Sequence, residues 1–179
     1  MKILFLRHKY VTLLAGAALS VAVFAAAAMP AAVSASTTER QLPIYCVNRD
    51  QKVCAISFDA AWGDASTQSL VDILNQYNVK ATFFVIGNWA EQYPEDVKML
   101  KENGMEVMNH SSAHGHMNQM SSEEIIADIK KCNDQIEALT GECPTLFRAP
   151  YGEYDDHVIA AVRSIIQSQC HWFIVDDLN

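Results

Sequence analysis

Two histidines four residues apart, in His110-Ser111-Ser112-Ala113-His114, have a spacing suited to chemistry. On a helical turn or a compact loop, imidazoles so placed can share one metal ion. Ser57-Phe58-Asp59 ends an apolar run with a carboxylate that the surrounding strand would desolvate. A carboxylate beside a divalent ion can take a proton from bound water. Phe147-Arg148-Ala149-Pro150-Tyr151-Gly152 joins a guanidinium to a rigid turn. The Arg fits a bidentate bond to a carboxylate such as Asp59 or Asp176, and the turn can aim a backbone N–H at a developing oxyanion. Asp176 and Asp177 complete the set, and His116 is read as a loop residue.

These residues need elements to bring them together. Val53 to Phe58, Ala81 to Ile86, Met105 to Met108, Thr145 to Phe147 and His171 to Val175 read as short strands. Helical patterns fall between them. Ser66 precedes apolar positions Leu70, Val71, Ile73, Leu74 and Tyr77 at helical spacing, and Pro94 opens a second helix. Ser121 to Glu124 supplies a capping box for a long helix to about Leu139, stopped at Thr140-Gly141. A fourth helix spans roughly Asp155 to Ser164. Alternation of this kind implies an α/β fold with a parallel sheet and right-handed crossovers, doubly wound or closing into a barrel. Ligands then gather at the carboxyl ends of the strands, where Asp59, His110, His114, Arg148 and Asp176 are expected.

The N-terminus has a different character. Lys2, Arg7, His8 and Lys9 precede an apolar, Ala-rich run from about Tyr10 to Ala32, and Val33-Ser34-Ala35 offers small residues for cleavage. Residues 1–35 are read as a signal peptide or N-terminal membrane anchor, and 36–52 as a lead-in segment. The expected location is exported, either secreted or anchored to the outer face of the cytoplasmic membrane. About 140 residues follow the leader, against about 250 in a complete eight-fold barrel. The net charge is −8 and no Lys/Arg cluster appears, so nucleic acid is not an expected partner. Five cysteines, Cys46, Cys54, Cys132, Cys143 and Cys170, form no CxxC pair, which removes support for a Cys-based zinc site. Cys132 and Cys143 flank a helix end and are candidates to pair.

From about Arg40 onward the chain resembles the polysaccharide deacetylases with the NodB homology domain, carbohydrate esterase family four. Ser57-Phe58-Asp59-Ala60 looks like that family's first motif, His110-Ser111-x-x-His114 like its second, and Arg148-Ala149-Pro150-Tyr151-Gly152 like its third. Val175-Asp176-Asp177-Leu178-Asn179 is similar to the start of the fourth. The resemblance implies a (β/α) deacetylase barrel, truncated here after about five strands, with residues 53–179 as the domain. It implies Asp59 as general base, His110 and His114 as ligands of a divalent metal, most commonly zinc, and Arg148 as the residue that orients the base. The Tyr151 backbone would help bind the oxyanion, and Asp176 would partner Arg148. The implied reaction is removal of N-acetyl groups from a cell-wall glycan. Ala60 stands where the family has a second, metal-binding Asp, as in the variant Asp-Ala-Ala-Trp-Gly motif of sporulation-type deacetylases; water or Asp64 would then fill the gap. A Leu-x-His motif carrying the general acid would lie past residue 179.

Overall fold

The computed structural model describes residues 41–45, 50–166 and 173–175. Five strands, β1 (Ser57–Ala60), β2 (Thr82–Val85), β3 (Glu106–Asn109), β4 (Leu146–Arg148) and β5 (Phe173–Val175), form one parallel sheet in the order β1-β2-β3-β4-β5. Five helices connect or cover them: α1 (Thr67–Gln76), α2 (Gly87–Gln92), α3 (Pro94–Glu102), α4 (Ser122–Thr140) and α5 (Asp156–Ile166). Each crossover advances by one strand. With constant handedness, every crossover falls on the same face of the sheet, which is the winding of a barrel wall and not of a doubly wound sheet.

Alternation along the strands separates the two faces. Phe83, Val85 and Val107 are buried with Val71, Leu74, Val97, Leu100 and Trp89 on the helix side. Phe147 joins a second cluster with Ile125, Ile129, Val158, Ile159 and Val162. The opposite face carries Ser57, Asp59, Phe84 and Arg148. Arg148 on β4 bonds to Asp59 on β1, although β2 and β3 lie between them. Three strand spacings in a flat sheet would be roughly 14 Å, more than the two side chains span together. The sheet must therefore curl around Arg148, as a barrel wall does, and the expected fold class holds.

Several boundaries differ from the sequence reading. β1 begins at Ser57 and not at Val53, because Val53 and Ile56 are exposed and the pairing with β2 starts at Ser57↔Thr82. Asp59 consequently lies within β1, and Arg148 is the last residue of β4. Helix α2 was not expected; Gly87 reads as the end of a strand, but it starts a short helix that buries Trp89 and Ala90. Ser66 is the N-cap of α1 without a side-chain cap bond. The Ser121/Glu124 capping box is present, and Gly141 ends α4 at φ 73°, a left-handed conformation that glycine adopts without steric cost. Cys132 is not joined to Cys143: its thiol is buried and donates to the Val85 carbonyl at 3.4 Å. Within the lead-in, Gln41 N–H donates to Asp156 at 2.9 Å and Arg163 donates to the Gln41 side chain at 2.6 Å. The 1–35 leader and residues 36–40 and 46–49, including Cys46, lie outside the described residues, as do Cys170, Asp176 and Asp177.

Candidate active site

The site is built where β1, β3 and β4 end. Asn109, the last residue of β3, is fully buried and points its amide at α4. It donates to the Ile129 carbonyl at 2.9 Å and to the Asn133 side chain at 2.6 Å. Its oxygen accepts from Ser111 N–H at 2.7 Å, and the Ser111 hydroxyl accepts from His114 N–H at 2.8 Å. The first amides of α2 complete the hold: Gly87 and Asn88 donate to the Ser111 and Ser112 carbonyls at 3.0 and 2.9 Å. Gly87 is required there because an added Cβ would meet Ser112 Cα at 3.2 Å and the Gln135 side chain far closer. From α4, the Asp128 carboxylate accepts from Ser112 N–H at 2.8 Å. Burial pushes the Asp128 carboxyl up, opposed by the Ser112 amide, Lys131 and the Ala113 amide. Ser111 and His114 take positive φ values of 74° and 56°, a strain of order 1–3 kcal/mol each that such a scaffold must hold.

This scaffold fixes both imidazoles. His110 is buried, and its Nδ1 lies 2.9 Å from the Arg148 carbonyl. A carbonyl only accepts, so the proton sits on Nδ1 and the Nε2 lone pair faces the site. Burial lowers the His110 pKa from its ordinary value, the Asp59 charge opposing it in second place. His114 lies edge-on to it with ring centroids 5.0 Å apart, and its buried Nδ1 has no hydrogen-bond partner among the described residues.

Arg148 organises the base. Nη1 donates to Asp59 Oδ1 at 2.6 Å, Nη2 donates to Ser57 Oγ at 2.7 Å, and the guanidinium lies 4.1 Å over the buried Phe84 ring. The second Asp59 oxygen, Oδ2, is 3.8 Å from His110 Nε2. The expected desolvation of Asp59 by apolar neighbours is not found. Its side chain is 26% accessible and its neighbours are polar, because Asp59 projects to the face opposite the helix-packed core.

Tyr151 sits within a 3₁₀ turn, Pro150–Gly152, at φ 59°. The turn is closed by Gly152 N–H to the Ala149 carbonyl and Glu153 N–H to the Pro150 carbonyl, and neither bond uses the Tyr151 amide. The Tyr151 ring meets His114 edge-on at 4.6 Å and stacks on His116 at 4.3 Å. His116 in turn bonds Glu153 at 2.8 Å, a contact the loop reading had not foreseen. Asp59, His110, His114, Arg148 and Tyr151 are thus brought together.

A metal ion is implied by the resemblance, and the donors can be tested against it. Two fit: the His110 Nε2 lone pair with its tautomer set by a carbonyl, and His114 with its unpartnered buried nitrogen. No group of three His, Cys, Asp or Glu converges among the described residues. Ala60, in the position of a third ligand, packs with Phe58 against the helix-side core. Asp64 is not grouped with the two imidazoles among the described residues.

A one-sided α/β wall with a carboxylate, an arginine and a paired imidazole at its strand ends defines a hydrolase-type site on a deacetylase barrel. Residues 47–166 match the family model for polysaccharide deacetylase, and the chain belongs to that family. It is 42% identical over 118 residues to the peptidoglycan-N-acetylmuramic acid deacetylase PdaC of Bacillus subtilis, covering 65% of this chain and 25% of that protein. It is 32% identical over 118 residues to a peptidoglycan-N-acetylglucosamine deacetylase of Bacillus cereus, covering 66% and 39%. Among solved structures it resembles a CE4 family pseudoenzyme from Bacillus anthracis, with 32% identity and a TM-score of 0.68 over 75% of this chain and 46% of that one. The chain therefore spans between a quarter and a half of the length of these relatives.

Proposed function

We propose that the protein is an exported, metal-dependent hydrolase that removes N-acetyl groups from cell-wall polysaccharide, peptidoglycan or a chitin-like N-acetylglucosamine polymer. The observation that carries this reading is the Asp59 carboxylate, held by Arg148 on one oxygen and turned toward His110 Nε2 with the other. His110 and His114 would hold the divalent ion, zinc being the expected one, and such an ion supplies charge that acidifies water and polarises an acetyl carbonyl. Asp59 takes the proton from the attacking water, and Arg148 keeps it aimed. The strained Tyr151 turn presents its amide to the developing oxyanion. The basic head and Ala-rich run of residues 1–35 support export and a wall substrate. The Asp-Ala-Ala-Trp-Gly variant motif supports a role in sporulation or wall modification.

The experiment is acetate release from peptidoglycan and N-acetylglucosamine oligomers, with and without added zinc, by the full chain and its Asp59→Asn variant. Zinc-dependent release that falls by at least about 100-fold in the variant, with zinc binding retained in dialysis, is the expected result. A second reading is favoured by a donor set of two imidazoles among the described residues: a non-catalytic glycan-binding protein on the same scaffold. Glycan binding without acetate release under any condition would establish that reading and sink the first. Hydrolysis of a small non-sugar amide in place of glycan would redirect the substrate assignment.

A further inference from the structure

The turn after β1 leaves an unusual side chain in solvent. Trp62 is 81% exposed, and its ring lies 5.7 Å from that of His114 at an interplanar angle of 59°. Tyr151, 56% exposed, meets the same His114 ring at 4.6 Å. Trp62 and Tyr151 thus flank one imidazole at the mouth of the site; Tyr151 also stacks on His116 at 4.3 Å, which leaves the Trp62 indole as the open face. A single exposed apolar residue such as Val53 needs no explanation. A pair converging on a candidate metal ligand does.

Trp62 is exposed without being loosely tethered. The next residue, Gly63, has φ 69° and its carbonyl accepts from the indole N–H of Trp89 at 2.7 Å. Trp89 is itself 2% exposed within the core. Thr67 N–H closes the turn on the Asp64 carbonyl at 2.9 Å. The backbone under Trp62 is therefore fixed to the core while the indole is displayed, an arrangement that limits the entropy lost when a ligand settles on it.

We infer that Trp62 and Tyr151 form an aromatic subsite that stacks on a pyranose ring of the glycan beside the reacting acetamido group. The inference rests on the glycan reading above and adds to it the residue that grips the sugar. The C–H edges of a pyranose carry partial positive charge and suit the negative face of an indole or phenol ring. The sugar's hydroxyls stay in water at an open mouth. Continuity with His114 sets the ring next to the proposed chemistry.

The test is binding of a tetramer of N-acetylglucosamine to the full chain, followed by calorimetry and by tryptophan emission, in wild type, Trp62→Ala and Trp62→Phe. The expected result is binding by wild type, about tenfold weaker binding by Trp62→Ala, and recovery to within about threefold by Trp62→Phe. Emission should shift to the blue on binding in wild type and stay fixed in Trp62→Phe, where Trp89 and Trp172 remain as internal controls. Unchanged unfolding midpoints would exclude a fold defect. Wild-type binding that Trp62→Ala leaves within about twofold overturns the subsite and leaves the glycan reading standing. A blue shift that appears on raising protein concentration without glycan overturns it in favour of self-association. Absence of glycan binding in wild type, together with absence of acetate release, removes both the subsite and the reading beneath it.

Discussion

The turn after β3 and the turn after β1 open onto the same mouth and are held by opposite means. Asn109 to Ser112 are buried, with backbone groups answered by Asn109, Asp128, Gly87 and Asn88. Asp59 to Asp64 are open: the turn rests on the Trp89 indole through Gly63 and on the Arg148 contact through Asp59. The imidazole arm is pre-organised by a polar network inside the core, where an unmatched group is costly. The carboxylate arm stands on few bonds in partial solvent, so residues there are exchangeable at little cost to folding.

This contrast can be broken most forcefully at Asn109. Replacing Asn109 with Ala strands the Ser111 amide, the Ile129 carbonyl and the Asn133 side chain together; a loss of about 3 kcal/mol or more is expected in urea unfolding. On the open arm, Gly63→Ala puts a methyl group into open space at φ 69°, so only the backbone conformation is penalised, with an expected loss of about 1 kcal/mol. If the two losses came out equal, the asymmetry would be refuted.

A smaller effect is expected from pH. Burial lowers the His110 pKa below 6.5, so between the folded value and 6.5 the unfolded chain binds the extra proton and stability rises with pH. Stability measured from pH 7.5 downward should begin to fall as pH passes about 6.5. In a His110→Asn variant, whose amide can still donate to the Arg148 carbonyl, that component of the slope should vanish. The least perturbing probe is alkylation. Burial raises the Cys132 thiol far above its usual range, whereas Cys54 is exposed. Mass mapping after brief iodoacetamide treatment at pH 8 should find Cys54 modified and Cys132 intact; equal labelling would mean that the core under the His turn opens readily.

The site was legible where local chemistry and position coincide. His110 and His114 follow β3 as read, and Arg148 and Tyr151 lie at and just past the end of β4, one residue from where the short Thr145 to Phe147 run puts the strand end. The Ser121/Glu124 capping box was equally readable, since it is satisfied within four residues. The start of β1 was not, because Val53 to Ile56 has strand composition but is exposed, and it meets β2 through the Ile56 carbonyl at its end. Helix α2 escaped notice because its six residues are too few for a periodic pattern and packing of Trp89 decides it. The supporting residues Asn109, Asp128 and Asn133 were missed for another reason: their roles depend on contacts between β3 and α4. One signal was available. Asn133 falls on the stripe of Ile125, Ile129, Cys132 and Ile136, and a polar residue on an apolar helix face needs a buried partner.

Arg148 touches the two arms through different parts of itself. Its carbonyl receives the His110 proton, while its guanidinium grips Asp59. Any side-chain substitution at this position therefore severs one connection and spares the other, since every amino acid keeps a carbonyl. A replacement at Arg148 can thus release Asp59 while the carbonyl that fixes the His110 tautomer stays in place.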